Sequence, residues 1–196
     1  MKAFAIANSD APPDEAFYGR IERLAGAGVD FILLRDKGLD DAARFRNAER
    51  CRRLVRSPSK LLIHGRADLA SAAGADGIHL PSAALPADVV RKIAPGLIVG
   101  RSCHSVAECA AAAREGLAYA LLGPVFPPRS KVDSGRVSLA DLARAATLEI
   151  DVYALGGISL AVLDRLGEIP IAGVAAITFF MDDEPIEAVI EAVRNA

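Results

Sequence analysis

Eight short, mostly apolar runs recur along this chain, at Ala3–Ala7, Val29–Leu34, Lys60–Ile63, Gly77–Leu80, Leu97–Gly100, Tyr119–Leu122, Val152–Leu155 and Gly173–Ile177. Between them lie alanine-, leucine- and arginine-rich stretches of helical spacing, among them Phe17–Ala27, Asp40–Val55, Ala84–Ile93, Val106–Glu115 and Leu139–Thr147. The apolar runs are continuous rather than alternating, the pattern of parallel strands covered on both faces. Eight such β–α units within 196 residues predict an α/β fold, a single-domain (β/α)8 TIM barrel with short loops and one domain over residues 1–196. An open flavodoxin-like sheet would have to reassign several of the runs.

Hydrophobic residues make up 52% of the chain, enough for a sizeable core. A net charge of −2 and only 5% aromatic residues give neither a basic field nor stacking platforms, so nucleic acid is not an expected partner. No apolar run reaches membrane-spanning length, and Met1–Ile6 passes straight into strand-like sequence. A cytoplasmic protein without signal peptide or membrane partner is therefore expected. Cys51, Cys103 and Cys109 have neither metal-ligand nor C-x-x-C spacing, which suits a reducing compartment. Cys103 beside His104 has the look of a nucleophile pair, but neighbours in a turn usually point apart, and a small buried thiol is the better reading. The arginine-dense stretch from Arg44 to Arg56 falls on the second helical segment among Asp40, Asp41 and Glu49, and reads as a solvated helix face.

In a barrel of this kind, ligands meet residues just after each strand. Those positions hold Arg35, Asp36 and Lys37 after the second run, His64, Gly65 and Arg66 after the third, and Pro81 and Ser82 after the fourth. The fifth leads to Ser102 and His104, and Ser105 and Glu108 are spaced as a capping box that starts a helix behind that histidine. The helix's positive end favours a neutral imidazole there, able to take and return a proton. After the sixth run comes Gly123–Lys131, which carries the cation Lys131. Gly156, Gly157 and Ile158 follow the seventh run, and Ile177 and Thr178 end the eighth. Loops seven and eight are the usual phosphate site of such barrels, and glycines there let backbone N–H groups approach an anion. A phosphorylated small molecule is the expected ligand. His79, inside an apolar run, reads as a hydrogen-bonded barrel-interior residue, Asp68 and Asp76 as local turn and helix-end partners, and Arg101 as either a ligand clamp or a buried ion-pair partner.

The order of these landmarks resembles the thiamine phosphate synthase and thiazole tautomerase superfamily over nearly the whole chain. The resemblance is carried by Leu34-Arg35-Asp36-Lys37, Ala75-Asp76-Gly77-Ile78-His79-Leu80, Gly123-Pro124-Val125-Phe126 with Ser130-Lys131, and Ala154-Leu155-Gly156-Gly157-Ile158. It implies a (β/α)8 barrel that binds a phosphorylated thiazole and is commonly a homodimer. Synthases of this superfamily condense a pyrimidine pyrophosphate with the thiazole and use Mg²⁺. Where they carry Asn-Asp-Arg and a second carboxylate, this chain has His64-Gly65-Arg66 and Ala84, and Leu33 and Pro128-Arg129-Ser130-Lys131 depart as well. Gly65 and Ala84 supply no ligand, so no metal and no other cofactor is expected.

The tautomerase branch is similar at Gly65-Arg66, Leu80-Pro81-Ser82 and Gly100-Arg101-Ser102 with His104-Ser105, although His64 stands where that branch has Asn. The expectation is therefore an isomerase that aromatises a carboxylated thiazole phosphate, with His104 as acid/base. Arg35, Lys37, His64, Ser102 and Lys131 would contact the substrate, with Arg35 and Lys131 offsetting its negative charge, and the backbone at Gly156, Gly157, Ile158, Ile177 and Thr178 would hold the phosphate. The alternatives are the synthase itself and a non-catalytic sensor of a thiamine-pathway phosphate.

Overall fold

The computed structural model describes residues 1–9, 11–127, 137–181 and 185–196. Eight strands, β1 (Lys2–Asn8), β2 (Phe31–Arg35), β3 (Lys60–His64), β4 (Gly77–Leu80), β5 (Ile98–Cys103), β6 (Tyr119–Leu122), β7 (Asp151–Leu155) and β8 (Gly173–Ala176), pair in parallel and in chain order. The ladder between β1 and β8 closes them into a barrel. Around it run α1 (Glu15–Gly26), α2 (Asp41–Leu54), α3 (Ala67–Ala72), α4 (Ala87–Ile93), α5 (Val106–Arg114), α6 (Leu139–Ala145), α7 (Leu160–Gly167), α8 (Thr178–Met181) and α9 (Ile186–Asn195). The expected (β/α)8 architecture is the observed one.

Period-two alternation divides the strand side chains between two cores. Inside the barrel, Phe4, Ile6, Leu33, Leu62, Tyr119, Leu121, Tyr153 and Ala175 pack together. Outside, Ala5, Ile32, Leu34, Ile63, Val99, Leu122 and Val174 meet helix residues such as Ile21, Leu24, Ala48 and Leu163. Burial on both faces is why the strands read as unbroken apolar runs. Among the described residues, side-chain caps begin four helices, with Asp14, Asp40, Ser105 and Ser138 accepting the N–H of Phe17, Ala43, Glu108 and Asp141. Each cap satisfies a donor that the helix cannot use itself.

Two of the boundaries that differ from expectation matter for the mouth of the barrel. Strand β5 continues past the apolar run to Cys103, because each added side chain finds a partner within the strand's own geometry. Arg101 points outward and forms a two-point ion pair with Glu115 at 2.7 and 2.9 Å, which settles that residue as a structural partner rather than a clamp. Ser102 points inward, and Cys103 is fully buried outside the barrel. Helix α4 starts at Ala87 rather than Ala84, behind Pro86, whose fixed φ suits a helix entrance.

One glycine shapes the barrel's interior. Gly100 is the register partner of His79 on one side and of Tyr119 on the other. A Cβ at Gly100 would lie 2.1 Å from Tyr119 Cζ, so the tyrosine ring occupies the space of the missing side chain. That ring stacks on His79 with centroids 5.7 Å apart and planes at 18°.

Candidate active site

At the C-terminal end of the strands, polar residues project where the barrel interior opens. Asn8 and Arg35 are register partners on β1 and β2, and Arg35 Nη1 donates to Asn8 Oδ1 at 2.6 Å. The following loop is held by α2. Arg44 donates from Nε to the Asp36 carbonyl at 2.7 Å and from Nη2 to the Lys37 carbonyl at 3.2 Å. Buried Asn47 donates to Asp36 Oδ2 at 2.8 Å. Arg46, Arg53 and Arg56 do face solvent, but Arg44 grips the loop carrying two mouth cations, and Arg52 pairs with Asp76 at 2.6 Å. The solvated-face reading therefore holds for only part of the stretch. The sequence signal for the rest was Asn47, a polar residue on the helix's inner face.

Burial pushes the Asp36 carboxyl up, against the opposing effects of Asn47 and Arg44. Its Oδ1 has no partner among the described residues. Beside it, a recess of about 30 Å³ is bounded by Lys37, Arg44, His64 and Arg66. Desolvation lowers the His64 pKa to about 4, with the positive charges of Arg35, Lys37 and Arg44 adding to the effect. This imidazole is thus neutral at pH 7 and can exchange hydrogen bonds there without carrying charge.

His79 is buried and its pKa is lowered to about 3, first by desolvation. Its Nδ1 lies 3.1 Å from the Tyr119 hydroxyl and its Nε2 lies 2.8 Å from Ser102 Oγ. The barrel-interior reading of His79 agrees with this geometry. Ser102 is half-buried at the mouth.

His104 sits directly after β5 and just ahead of the Ser105–Glu108 capping box. Ser105 Oγ accepts the Glu108 N–H at 3.2 Å, and the Glu108 carboxylate accepts the His104 N–H at 2.9 Å. The imidazole is exposed, and its Nδ1 lies 2.8 Å from the Gly123 carbonyl. A carbonyl can only accept, so Nδ1–H donates. The ring ties the end of β5 to the loop after β6, a job that needs no proton transfer. Cys103 points away from it, as expected of neighbours in a turn, and the nearby Cys109 thiol together with burial pushes the Cys103 thiol up.

Gly156 and Gly157 follow β7 at φ +99° and +61°. A Cβ on Gly157 would come within 2.6 Å of Phe126 Cβ and 2.8 Å of the Pro127 carbonyl. Val125 and Phe126 donate to the Leu155 and Gly156 carbonyls at 2.9 and 3.2 Å. The glycine turn thus admits the loop after β6 as well as freeing its own amides. The N–H groups of Gly157, Ile158 and Thr178 have no acceptor among the described residues. Ile158 is buried, whereas Ile177 and Thr178 are exposed at the end of the adjacent β8. Lys131 lies outside the described residues, as do Arg129 and Ser130.

A larger concavity, about 460 Å³, opens at the opposite end of the barrel between Leu117, Glu149, Asp151 and Pro170. No imidazole or cation among the described residues lines it, and barrels of this type place chemistry at the C-terminal end. The candidate site is therefore the mouth framed by Arg35, Lys37, His64, Ser102 and the glycine turn.

The Mg²⁺ implied by the synthase resemblance does not fit these side chains. Gly65, at φ +73°, offers none, and Ala84 offers only a methyl group. The Arg66 guanidinium occupies Asp68 at 2.7 Å and also pairs with Asp41, and it lowers the Asp68 pKa to about 2. Among the described residues no three His, Cys, Asp or Glu side chains converge on a point.

Comparison with known proteins shows what this chain is similar to. The sequence profile described as "Thiamine monophosphate synthase" matches residues 3–180. The thiamine-phosphate synthase of Methanoculleus marisnigri is 36% identical over 180 residues, covering 89% of this chain and 85% of that protein. The thiamine-phosphate synthase of Anaeromyxobacter dehalogenans is 35% identical over 179 residues, covering 87% and 80%. Among solved structures, thiamine phosphate pyrophosphorylase from Pyrococcus furiosus superposes with a TM-score of 0.84 at 26% identity, over 98% of this chain and 94% of that one.

These relatives overturn the expected isomerase activity, because the names they carry are those of a transferase. The expectation leaned on two replaced carboxylates and on His104 as a base. The anchoring of the His104 ring to the Gly123 carbonyl accounts for an imidazole at that place without isomerisation.

Proposed function

This chain belongs to the thiamine monophosphate synthase family, and on that premise we propose that it is a thiamine-phosphate synthase acting at the C-terminal mouth of its barrel. In this reading a thiazole ring nitrogen forms a bond to the methylene carbon of a pyrimidine pyrophosphate. The carbon–oxygen bond to pyrophosphate breaks, and the leaving group departs with the electron pair. The observation that carries the reading is the one-third identity to synthases, spread across most of both chains. The geometry supports it with groups suited to two anions. Arg35 and Lys37 would offset charge growing on the leaving pyrophosphate, with Ser102 as a further contact. The N–H groups of Gly157, Ile158 and Thr178, without an acceptor among the described residues, would hold the thiazole phosphate. His64 would line the pyrimidine side as a neutral polar wall, and His104 would keep the loops after β5 and β6 together. The same reading takes the chain as cytoplasmic, and as a homodimer, as the resemblance implies. No helix among the described residues is long and apolar enough to cross a membrane.

The test is pyrophosphate release from the full chain given pyrimidine pyrophosphate and thiazole phosphate, in parallel with and without chelator. Release that requires both substrates, with thiamine phosphate formed in equal amount, is expected. Binding of both substrates without release in either buffer would reject the reading.

A further inference from the structure

We propose that Tyr119 and His79 are positioning residues which present Ser102 at the barrel mouth as a hydrogen-bond donor to an anionic oxygen. The direction of the relay follows from counting donors. A buried phenol O–H needs an acceptor, and leaving it without one costs more than most hydrogen bonds return. Among the described residues the only polar atom paired with the Tyr119 hydroxyl is His79 Nδ1, at 3.1 Å. The other neighbours of the Tyr119 ring, Phe4 and Phe31, are apolar, and the buried Tyr153 hydroxyl makes no hydrogen bond that could serve. Tyr119 therefore donates, and Nδ1 accepts.

A neutral imidazole that accepts at Nδ1 carries its proton on Nε2. His79 is neutral across the working range, since its pKa lies near 3. Nε2–H then donates to Ser102 Oγ across 2.8 Å. That bond uses a lone pair of the hydroxyl and leaves its proton unspent, with no second partner among the described residues. The opposite tautomer would turn the serine proton inward, toward Nε2, and offer lone pairs to the mouth, which would repel an anion.

The backbone is built for the first arrangement. Gly100 leaves the slot in which the Tyr119 ring lies, and the ring stacks on His79, so the phenol reaches Nδ1 edge-on. A core tyrosine thereby fixes a proton at the site without touching ligand. The identity of the anion, the pyrophosphate, rests on the proposed function; the proton arrangement does not.

Two measurements on the full chain separate those parts. The chain holds three histidines, so two-bond ¹H–¹⁵N correlation of the labelled protein resolves each ring, with His64→Gln and His104→Gln giving the assignments. His79 is expected as the Nε2–H tautomer and His104 as the Nδ1–H tautomer. Tyr119→Phe is expected to convert His79 into a mixture. In calorimetric titration with inorganic pyrophosphate, Ser102→Ala should weaken binding by about ten- to a hundred-fold, the usual loss for a hydrogen bond to a charged group. Tyr119→Phe should weaken it several-fold, and add nothing in the Ser102→Ala background. An Nδ1–H tautomer at His79 in the wild-type protein overturns the relay and leaves the synthase reading standing. The expected tautomer in a protein without affinity for pyrophosphate overturns the anion half, and the synthase reading with it.

Discussion

Replacing Arg35 by glutamine is expected to lower kcat/KM for the condensation by about 10²- to 10³-fold, the usual effect of removing one preorganised charge-stabilising donor. Arg35 ends β2 half-buried, with one nitrogen on Asn8 Oδ1 at 2.6 Å and no further side-chain partner for its donor fork among the described residues. Its backbone is held in place, because α2 grips the two residues that follow it through Arg44 and Asn47. A fixed guanidinium needs little reorganisation when charge appears on a leaving pyrophosphate, and a planar fork matches two phosphate oxygens at once. Arg35→Lys should recover only part of the loss for that reason. The cost in stability should stay within about 1.5–3 kcal/mol, the range for one hydrogen bond to a charged group. Arg46→Gln, at an exposed position of the same helix, is the control and should stay within about two-fold of wild type, as surface changes do. Equal losses at Arg35 and Arg46 would mean that bulk charge, and not this mouth, sets the rate.

The second large effect falls on the fold. Gly100→Ala places a methyl carbon 2.1 Å from Tyr119 Cζ and 2.2 and 2.4 Å from two further ring carbons. The ring cannot step aside easily, because Phe4, Phe31 and Tyr153 surround it at centroid separations of 5.3, 5.9 and 6.1 Å. Overpacking of this kind costs about 1–3 kcal/mol or more, which chemical denaturation would read directly. The displaced phenol should also lose His79 Nδ1, so the Nε2–H signature should fade in whatever fraction folds. A protein of wild-type stability carrying Gly100→Ala would show that the barrel interior has slack that the packing does not suggest.

Much of the barrel was legible because parallel strands buried on both faces leave continuous apolar runs. Six of the eight strands both begin and end within a residue of those runs; Val29 and Asp30 lie ahead of β2, and β5 runs on to Cys103. The β5 extension was hidden because Arg101 and Ser102 look like loop residues until Glu115 and His79 are known to face them. Partners that satisfy a polar side chain from another element leave no mark in local sequence. The same blindness covered Arg44, whose targets are the backbone carbonyls of Asp36 and Lys37. The Gly100 and Tyr119 pair was readable in principle, as a glycine inside an apolar strand marks a close approach.

The site residues were legible as positions, since residues after strand ends must gather at one mouth. Their chemistry was less so. The exchange of Asp for Gly65 and of a carboxylate for Ala84 says what the mouth lacks, and the isomerase expectation treated that absence as a statement about the reaction. The partner of the His104 ring is a carbonyl nineteen residues away, at Gly123, which sequence spacing does not reveal.

The most direct test of the central claim, that two phosphorylated substrates meet at this mouth, is a crystal structure of the chain with thiamine phosphate and pyrophosphate. Pyrophosphate is expected against Arg35, Lys37 and Ser102, with the phosphate of thiamine phosphate on the N–H groups of Gly157, Ile158 and Thr178. Product bound instead in the concavity between Leu117, Glu149 and Pro170, with the mouth left to solvent, would contradict it.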